Sequence, residues 1–383
     1  MGDVVETLGA ALEDIVEKGA FDVPPYPAVA LRLQRILARP NHGLAEVADA
    51  ISSDPSLAAR VLSAANSAAY GGTQEITTIG RAVNRLGTRT VSGLSLAAGL
   101  GASATQAGVL FDVKFLVWRR TITCALSCQK LAPLQSLGAD DAFLVGLLHG
   151  FGRSLAIGAL EKLVSAERPP RPLGVADFLA VAERERGKLT AAVAKGWSLP
   201  QALAEPLDES RASPAWKALL SRSNQIALLL EAGQTPVGSS AVESRALDEL
   251  VRGLPSALDA LAEVPASATV RSSGVLAKSD RILKGNVKPC SFPVADRRKR
   301  GAAKLRAIGI APDGIELESS SAFQESSMVR LMVGPEADQF EPWLNVVLCV
   351  PSGTSFRVEA QLFAPTREAA QHWQTLYAAA AAR

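Results

Sequence analysis

One histidine in a glycine-rich apolar segment is the side chain best suited to metal-assisted chemistry. His149 lies within residues 146–152, among leucines and glycines. A hydrolytic metal centre needs a cluster of His and Asp ligands from several helices, which holds the ion and generates hydroxide near neutral pH. The residue after His149, where such a motif requires an Asp, is Gly150. The segment therefore has the form of a metal-hydrolase motif that has lost a ligand.

The other two histidines do not complete a metal site in the sequence. His42 has Glu46 four residues later but lies in a break formed by proline and glycine, and His372 forms at most one two-ligand pair with Glu368. Both are far from His149 in sequence, and a single imidazole cannot hold a hydrolytic metal centre. We therefore expect no catalytic residue, no metal and no cofactor, and we predict that the protein is not an enzyme.

Length, charge and cysteine usage favour a cytoplasmic protein of two domains. The 383 residues are enough for two cores, or for two and a small third. The 40 basic and 38 acidic residues nearly cancel, which disfavours nucleic acid and anionic membranes as partners. Residues 1–20 lack the basic start and apolar run of a secretory signal. The four cysteines have no paired CxxC spacing, so we expect free thiols in a reducing compartment.

Apolar periodicity predicts a helical region followed by a region of short strands. From residue 24 to about 235 the spacing is helical; Asp54 and Pro55 are suited to begin one helix and Gly87 to end another. Beyond about residue 283, short mixed segments replace the long helices, and a last helix is expected near 368–381. The fold class is therefore α plus β in separate domains. The predicted parts are an all-α domain over 1–235, a linker with a helical segment over 236–284, and a small β-rich domain with a C-terminal helix over 285–383.

Two segments of the chain bear on membrane insertion and on the packing of the domains. The most apolar stretch, residues 142–160, contains His149, Arg153 and four glycines. These interruptions predict buried core helices joined by a turn, and no membrane insertion. Whether residues 245–285 pack on the helical domain or act as a tether is left open by the sequence.

Several segments of the helical region resemble the HDOD family, an all-helical relative of the HD phosphohydrolases. The resemblance covers roughly residues 20–235, and its short motifs occur in the family's order. It implies a bacterial signalling domain that usually lacks hydrolase activity. The matching residues are Pro25, Pro27 and Val29; Asp54, Pro55, Leu57 and Arg60; residues 65–71; Ile79, Arg81, Ala82, Val83, Leu86 and Gly87; Trp118 and Arg119; Ala142 and Phe143; residues 146–149; and Trp197, Leu199 and Pro200.

At two positions where the resemblance implies a histidine, this chain has arginine. These are Arg120 and Arg186, so the HD motif is degenerate beyond the loss at Gly150. If Arg120, Arg186 and His149 face one cleft, their side chains could bind an anion such as phosphate. The alternative is structural: His149 is a buried, hydrogen-bonded ring and each arginine forms an ion pair. The carboxylates considered for those pairs are Asp140, Asp141 and Glu185.

The C-terminal region is faintly similar to the PilZ domain, whose ligand is cyclic di-GMP. The basic run resembles the phosphate-gripping arm of that family, and its candidate ligand-binding residues are Arg297, Arg298 and Arg300. The family's second motif holds guanine through an Asp or Asn and a Ser, where this chain has Gly309 and Ala311. An unpaired buried polar group costs about 1–3 kcal/mol, which disfavours cyclic di-GMP as a ligand. The basic run is also explained by a solvated loop, which we favour over a nucleic-acid groove.

These observations lead to three ranked hypotheses for function. The first is a non-enzymatic bacterial signal-transduction or scaffold protein, in which a catalytically dead HDOD domain and a PilZ-like domain act through contacts with signalling proteins. The second is a nucleotide-sensing module that binds cyclic di-GMP or another phosphate ligand through the arginines named above. The third, ranked far behind, is a residual phosphohydrolase that uses His149.

Overall fold

The chain forms two units, each with its own core, in a computed structural model. One unit comprises Met1–Ala227 and Ser240–Lys278, and the other comprises Leu228–Ser239 and Ser279–Arg383. The structure describes residues 2–67, 70, 75–104, 106, 108–166, 173–232, 234–261, 287–295, 304–323, 328–335, 339–362 and 367–381.

The first unit is helical throughout its described part, as the apolar periodicity predicted. Its longest helices, α7, α8 and α9, pack against one another, and their apolar faces join α1 in a common core that includes Leu12, Val117, Ile157 and Phe178. The helices are α1 (Gly2–Glu17), α2 (Ala28–Leu37), α3 (Leu44–Ser52), α4 (Pro55–Asn66), α5 (Ile79–Leu86), α6 (Thr88–Ala104), α7 (Phe111–Leu131), α8 (Ala139–Ala166), α9 (Val175–Gly196), α10 (Gln201–Ala204), α11 (Pro214–Glu231) and α12 (Ala241–Leu261).

Helix α8 corrects the expected pair of helices joined by a turn. It is continuous over Ala139–Ala166, through the glycines that suggested a break. A Cβ at position 150 would lie 2.6 Å from the Thr121 hydroxyl on α7, and one at position 152 would lie 2.2 Å from the Thr190 hydroxyl on α9. Gly150 and Gly152 are therefore needed for the close approach of neighbouring helices, so they do not mark a turn.

Helix α8 is also the one helix in the described ranges that is long and apolar enough to cross a membrane. Its most apolar window is 78% buried within the protein. Core helices of globular units pass the same length and composition test, so the finding is weak evidence for a membrane span.

The start of helix α4 follows the prediction made from Asp54 and Pro55. Asp54 Oδ1 accepts a hydrogen bond of 3.1 Å from the Leu57 amide, and Pro55 occupies the first helical turn. The carboxylate thus satisfies one of the free amides of the helix start, and proline has no amide to lose.

We expect Asp54→Ala to lower the free energy of unfolding of the helical unit by about 1 kcal/mol, because it removes this cap. Asp54→Asn is the matched control, since its amide oxygen still accepts the Leu57 hydrogen bond, and it should cost only a few tenths of a kcal/mol. Urea unfolding of both variants tests this. If both variants lost the same free energy of unfolding, the hydrogen bond from the Leu57 amide would not be the source of the stability that Asp54 provides.

Helix α12 answers the question that the sequence left open for residues 245–261. It packs on α4 and α7. Its last carbonyl, of Leu261, accepts hydrogen bonds from Arg60 Nη1 at 3.2 Å and from Trp118 Nε1 at 3.3 Å. Because these donors satisfy a carbonyl that the helix itself leaves unpaired, α12 is anchored in the helical unit.

The second unit contains an antiparallel sheet and a terminal helix, as the strand-like segments predicted. The strand order is β1-β2-β3-β6-β5-β4. Trp373 of the terminal helix is fully buried and donates through Nε1 to the Ala311 carbonyl at 2.9 Å. The elements are β1 (Lys288–Val294), β2 (Leu305–Ala311), β3 (Gly314–Ser319), β4 (Met328–Arg330), β5 (Trp343–Ser352), β6 (Ser355–Leu362) and α13 (Arg367–Ala381).

Candidate functional site

Three packed helices bring the candidate residues of the helical unit together. Arg120 lies on α7, His149 on α8 and Arg186 on α9. Helix α8 packs on both of the others, with Gly146 and Gly150 close to α7 and Gly152 close to α9. The helix interfaces therefore fix where each polar side chain can point, and they create one polar cluster inside an apolar bundle.

Arg186 is the centre of this cluster, and each guanidinium nitrogen has a partner. Its Nε donates to Glu183 Oε1 at 2.6 Å, its Nη2 donates to Glu209 Oε1 at 2.9 Å, and its Nη1 lies 3.1 Å from His149 Nδ1. An arginine has no acceptor, so the histidine nitrogen must be the acceptor. The carboxylates paired with Arg186 are thus Glu183 and Glu209, rather than the Asp140, Asp141 and Glu185 considered from the sequence.

His149 is held as a neutral ring. Burial, together with the positive charges of Arg186 and Arg153, lowers its pKa to about 3, against a smaller opposing effect of Glu183. Because Nδ1 accepts from Arg186, the proton of the neutral ring is on Nε2. The histidine therefore acts as a hydrogen-bond acceptor for a cation at neutral pH.

A second arginine lies behind this pair and was not singled out from the sequence. Arg153 is 3% exposed, and its Nε donates to Glu183 Oε2 at 2.7 Å. Burial lowers the pKa of Arg153. The charge and the hydrogen bond of Glu183 raise this pKa, and the charges of Arg120 and Arg186 lower it. Glu183 thus bridges a buried and a nearly buried guanidinium, and it is the carboxylate on which the cluster depends.

The same charges affect a buried thiol next to the cluster. A hydrogen bond with Cys128 lowers the pKa of Cys124, burial raises it, and the charges of Arg153 and Arg186 lower it. Both thiols are free, as expected from the lack of paired CxxC spacing, and both are buried. The interior around His149 is therefore electropositive.

A cleft of about 420 Å³ opens beside the cluster. His149, Arg186 and Lys217 supply its basic lining, and Glu183 and Glu209 its acidic lining. Arg120 is buried on α7 and is not among the lining residues. The structure therefore brings Arg186 and His149 together as the sequence analysis proposed, and places Arg120 away from the cleft surface.

The remaining candidate residues fall elsewhere. Arg297, Arg298 and Arg300 lie outside the described residues. His42 Nδ1 contacts the Arg39 carbonyl at 2.8 Å, and His372 stacks on Phe340 with ring centroids 4.3 Å apart. Each of these histidines thus has a local structural contact.

The residues around His149 do not fit a hydrolytic metal. The described segments of the chain contain no group of three or more His, Cys, Asp or Glu side chains that could hold an ion. His149 Nδ1 already accepts from a cation, and the guanidinium groups of Arg153 and Arg186 would repel another positive charge. We therefore derive no step that uses a metal at this position.

The positions matched to the second PilZ motif offer no side-chain partner to a nucleotide. Ala311 is fully buried. A Cβ at Gly309 would lie 2.7 Å from Val287 Cγ1, so the strand is packed tightly there. A polar side chain at position 309 would need this neighbour to move.

Comparison with known proteins identifies the class of the helical unit. Residues 23–212 match the HDOD domain family, so the chain contains an HDOD domain. A protein of Treponema pallidum (strain Nichols), named only as uncharacterized, is 28% identical over 205 residues, which is 51% of this chain and 38% of that relative. The matched segment thus spans well under half of the relative's length.

Two solved structures are similar to this chain. One from Shewanella amazonensis SB2B, named as a candidate metal-dependent phosphohydrolase, has a TM-score of 0.50 and 22% identity, and covers 68% of this chain and 97% of its own. An HDOD domain protein of unknown function from Geobacter sulfurreducens has a TM-score of 0.44 and 22% identity, and covers 65% of this chain and 89% of its own. At this level of identity the likeness concerns the fold alone.

Proposed function

We propose that this protein is a non-enzymatic signal-transduction or scaffold protein whose HDOD domain acts through contacts with other signalling proteins. The observation that carries the proposal is the 3.1 Å contact between Arg186 Nη1 and His149 Nδ1. A ring nitrogen that accepts from a guanidinium is not free to bind a metal ion. The histidine of the degenerate HD motif therefore has a structural role, as the hydrogen-bond partner of Arg186.

The packing at Gly150 supports the loss of catalysis. An Asp after His149 would place its Cβ 2.6 Å from the Thr121 hydroxyl, closer than such contacts allow. Restoring the missing ligand would therefore require Thr121, or the α7 backbone that carries it, to shift. The helices, the Asp54 cap and the anchoring of α12 are meanwhile intact, so the domain keeps its helical framework, and the residues that the structure describes offer no metal site.

The proposal places the protein in the cytoplasm, with protein partners. All four cysteines are free thiols, which suits a reducing compartment. The nearly balanced charge favours neither nucleic acid nor an anionic membrane. For the second unit we propose a PilZ-like domain that has lost its ligand, because Gly309 and Ala311 provide no polar side chain for a guanine.

The full chain should contain no stoichiometric iron, manganese or zinc, and should not hydrolyse a phosphodiester with any of these metals added. Elemental analysis and a phosphodiesterase assay, with an active HD enzyme as positive control, test this. The double variant Arg120→His/Arg186→His, which restores two histidines, should stay inactive because position 150 still has no Asp to act as a ligand. Turnover coupled to a tightly bound metal would overturn the proposal.

Calorimetry of the full chain with cyclic di-GMP tests the competing nucleotide-sensing function. The scaffold function predicts no binding heat. Saturable binding that is abolished by replacing Arg297, Arg298 and Arg300 with alanine would favour the sensing function instead.

A further inference from the structure

A second cavity lies in the helical unit, with lining residues different from those of the His149 cleft. It has a volume of about 500 Å³, within the usual range for small-molecule sites. Part of the lining is apolar, with Ile15, Phe21 and Leu155 among its members. Among the polar lining residues, Lys114 comes from α7, and Ser154 and Glu161 come from α8.

Helix α8 presents one continuous face to this cavity. Ser154, Gly158 and Glu161 are spaced four and three residues apart, which places them on the same side of a helix, and all three line the cavity. Between the two polar residues, Gly158 leaves the space open: a Cβ there would have no atom within 4 Å. The cavity is therefore a space that this sequence leaves unfilled.

The polar groups of the cavity have unused hydrogen-bonding capacity. Ser154 is 5% exposed, and its Oγ has no hydrogen-bond partner among the described residues. Lys114 is 4% exposed, and Glu161 Oε2, at 2.6 Å, is the one acceptor that the described chain gives its three N–H donors. Buried polar groups are normally paired, so these donors point to a ligand acceptor.

The charges of the cavity indicate what kind of ligand fits. Glu161 already neutralises Lys114 in an ion pair of 2.6 Å, and at the rim Lys162 is paired with Asp22 at 2.7 Å. A charged ligand would add an unbalanced charge to a largely apolar space, which is costly. An uncharged ligand with an oxygen acceptor would use the Lys114 and Ser154 donors without that cost.

We propose that this cavity binds a small, uncharged, mainly apolar molecule whose oxygen atom accepts hydrogen bonds from Lys114 and Ser154. The apolar body of the ligand packs on the side chains of Ile15, Phe21 and Leu155. The site is independent of the His149 cleft, so it adds a small-molecule input to a domain proposed to act through protein contacts.

Three probes of equal chain length and different head-group charge test the proposal on the full chain: octanol, octanoate and octylammonium. Octanol should bind at one site with a Kd of about 0.1–1 mM, the range expected for a ligand of this size. The two charged probes should bind at least about tenfold more weakly, because their charge has no counter-charge in the cavity. Titration calorimetry measures all three.

Variants of α8 locate the site. Gly158→Leu should abolish octanol binding by filling the cavity, whereas Gly158→Ala should keep most of it. Ser154→Ala should weaken binding about 5–10-fold through the lost hydrogen bond, and Ser52→Ala, on α3, should leave it unchanged. Thermal unfolding verifies that each variant is folded; both position-158 variants replace a helical glycine with a better helix former.

Three outcomes would overturn the proposal. These are no saturable octanol binding, octanol binding that Gly158→Leu leaves intact, and tighter binding of octanoate than of octanol. The first means that the cavity holds only solvent, the second that the probe binds elsewhere, and the third that the ligand is an anion. None of them bears on metal content or phosphodiesterase activity, so the proposed function is tested separately.

Discussion

Replacing Glu183 with alanine is expected to destabilise the helical unit by about 2–3 kcal/mol, less than for a fully buried pair because the Glu183 side chain is itself 46% exposed. Glu183 Oε2 pairs with Arg153, whose side chain is 3% exposed, and Glu183 Oε1 pairs with Arg186. Removing the carboxylate leaves Arg153 as a buried cation without its partner. A charge in that position costs several kcal/mol because burial removes it from water.

The pKa of Glu183 agrees with this role. Burial raises it, but the charges and hydrogen bonds of Arg153 and Arg186 outweigh burial, and the pKa lies below its ordinary value of 4.5. A carboxylate with a lowered pKa contributes stability that is present at neutral pH and is lost as the pH falls through the folded-state pKa. The destabilisation by Glu183→Ala should therefore be full at neutral pH and should shrink below about pH 4.

Glu209→Gln is the matched control for Glu183→Ala. Glu209 also pairs with Arg186, at 2.9 Å, but its side chain is 72% exposed. Exposed ion pairs contribute about 0–1 kcal/mol, so this variant should lose at most that amount. Urea unfolding at neutral pH, followed by far-ultraviolet circular dichroism, measures both. If Glu183→Ala costs no more than Glu209→Gln, then Arg153 does not depend on Glu183.

The order of helices and strands could be predicted from the sequence where a sequence pattern is compatible with only one local structure. Asp54 before Pro55 predicted a capped helix start, and the switch to short mixed segments predicted the sheet. The same approach failed for α8, because a glycine that permits close helix packing and a glycine that makes a turn look alike in sequence. Only the position of Thr121 and Thr190 on neighbouring helices decides between them.

Two elements of the fold have only a weak pattern in the sequence. Helix α6 is buried on most of its surface, including Val91, Leu96 and Leu100, so it lacks the one-sided periodicity of a surface helix. Strand β1 contains Pro289 and Pro293, which cannot donate to a neighbouring strand and so argue against a strand. It lies at the edge of the sheet, where such residues are tolerated.

The candidate site was predicted in part. His149 and Arg186 could be identified from the degenerate motif and from family resemblance. Glu183 could have been found as well, since it lies three residues before Arg186 on the same face of α9. Glu209 could not, because it comes from a different part of the chain, and only the tertiary packing brings it to Arg186.

The stability of the helical unit should depend on pH through His149. The ring has a pKa of about 3 in the folded protein, against 6.5 for an unperturbed histidine. Between these two values the unfolded chain binds a proton that the folded chain does not, so stability falls as the pH is lowered from about 6.5. From about pH 7 to about pH 5 this single group should cost about 2 kcal/mol, since each pH unit within the window corresponds to about 1.4 kcal/mol.

His149→Gln removes this titration and isolates its effect. At about pH 7 the variant should be less stable than the wild type by about 1–2 kcal/mol, because Arg186 loses its acceptor. Near pH 5 the difference should vanish or reverse, because the wild type has lost stability that the variant keeps. Urea unfolding at a series of pH values measures the difference directly, and His42→Gln controls for the loss of an imidazole elsewhere in the unit.

Parallel pH profiles for the wild type and His149→Gln would contradict the buried, neutral ring. Such a result would mean that His149 titrates in the folded protein near its ordinary pKa of 6.5, so that Nδ1 would be protonated, and could not accept from Arg186, below about that pH. The contact between Arg186 Nη1 and His149 Nδ1, which carries the proposed non-enzymatic function, would then not be a hydrogen bond accepted by a neutral ring. If the stabilities of the wild type and His149→Gln instead converge as the pH falls, the stability of the HDOD fold depends on the hydrogen bond between Arg186 and His149. The same hydrogen bond occupies the ring nitrogen that would otherwise be available to a metal.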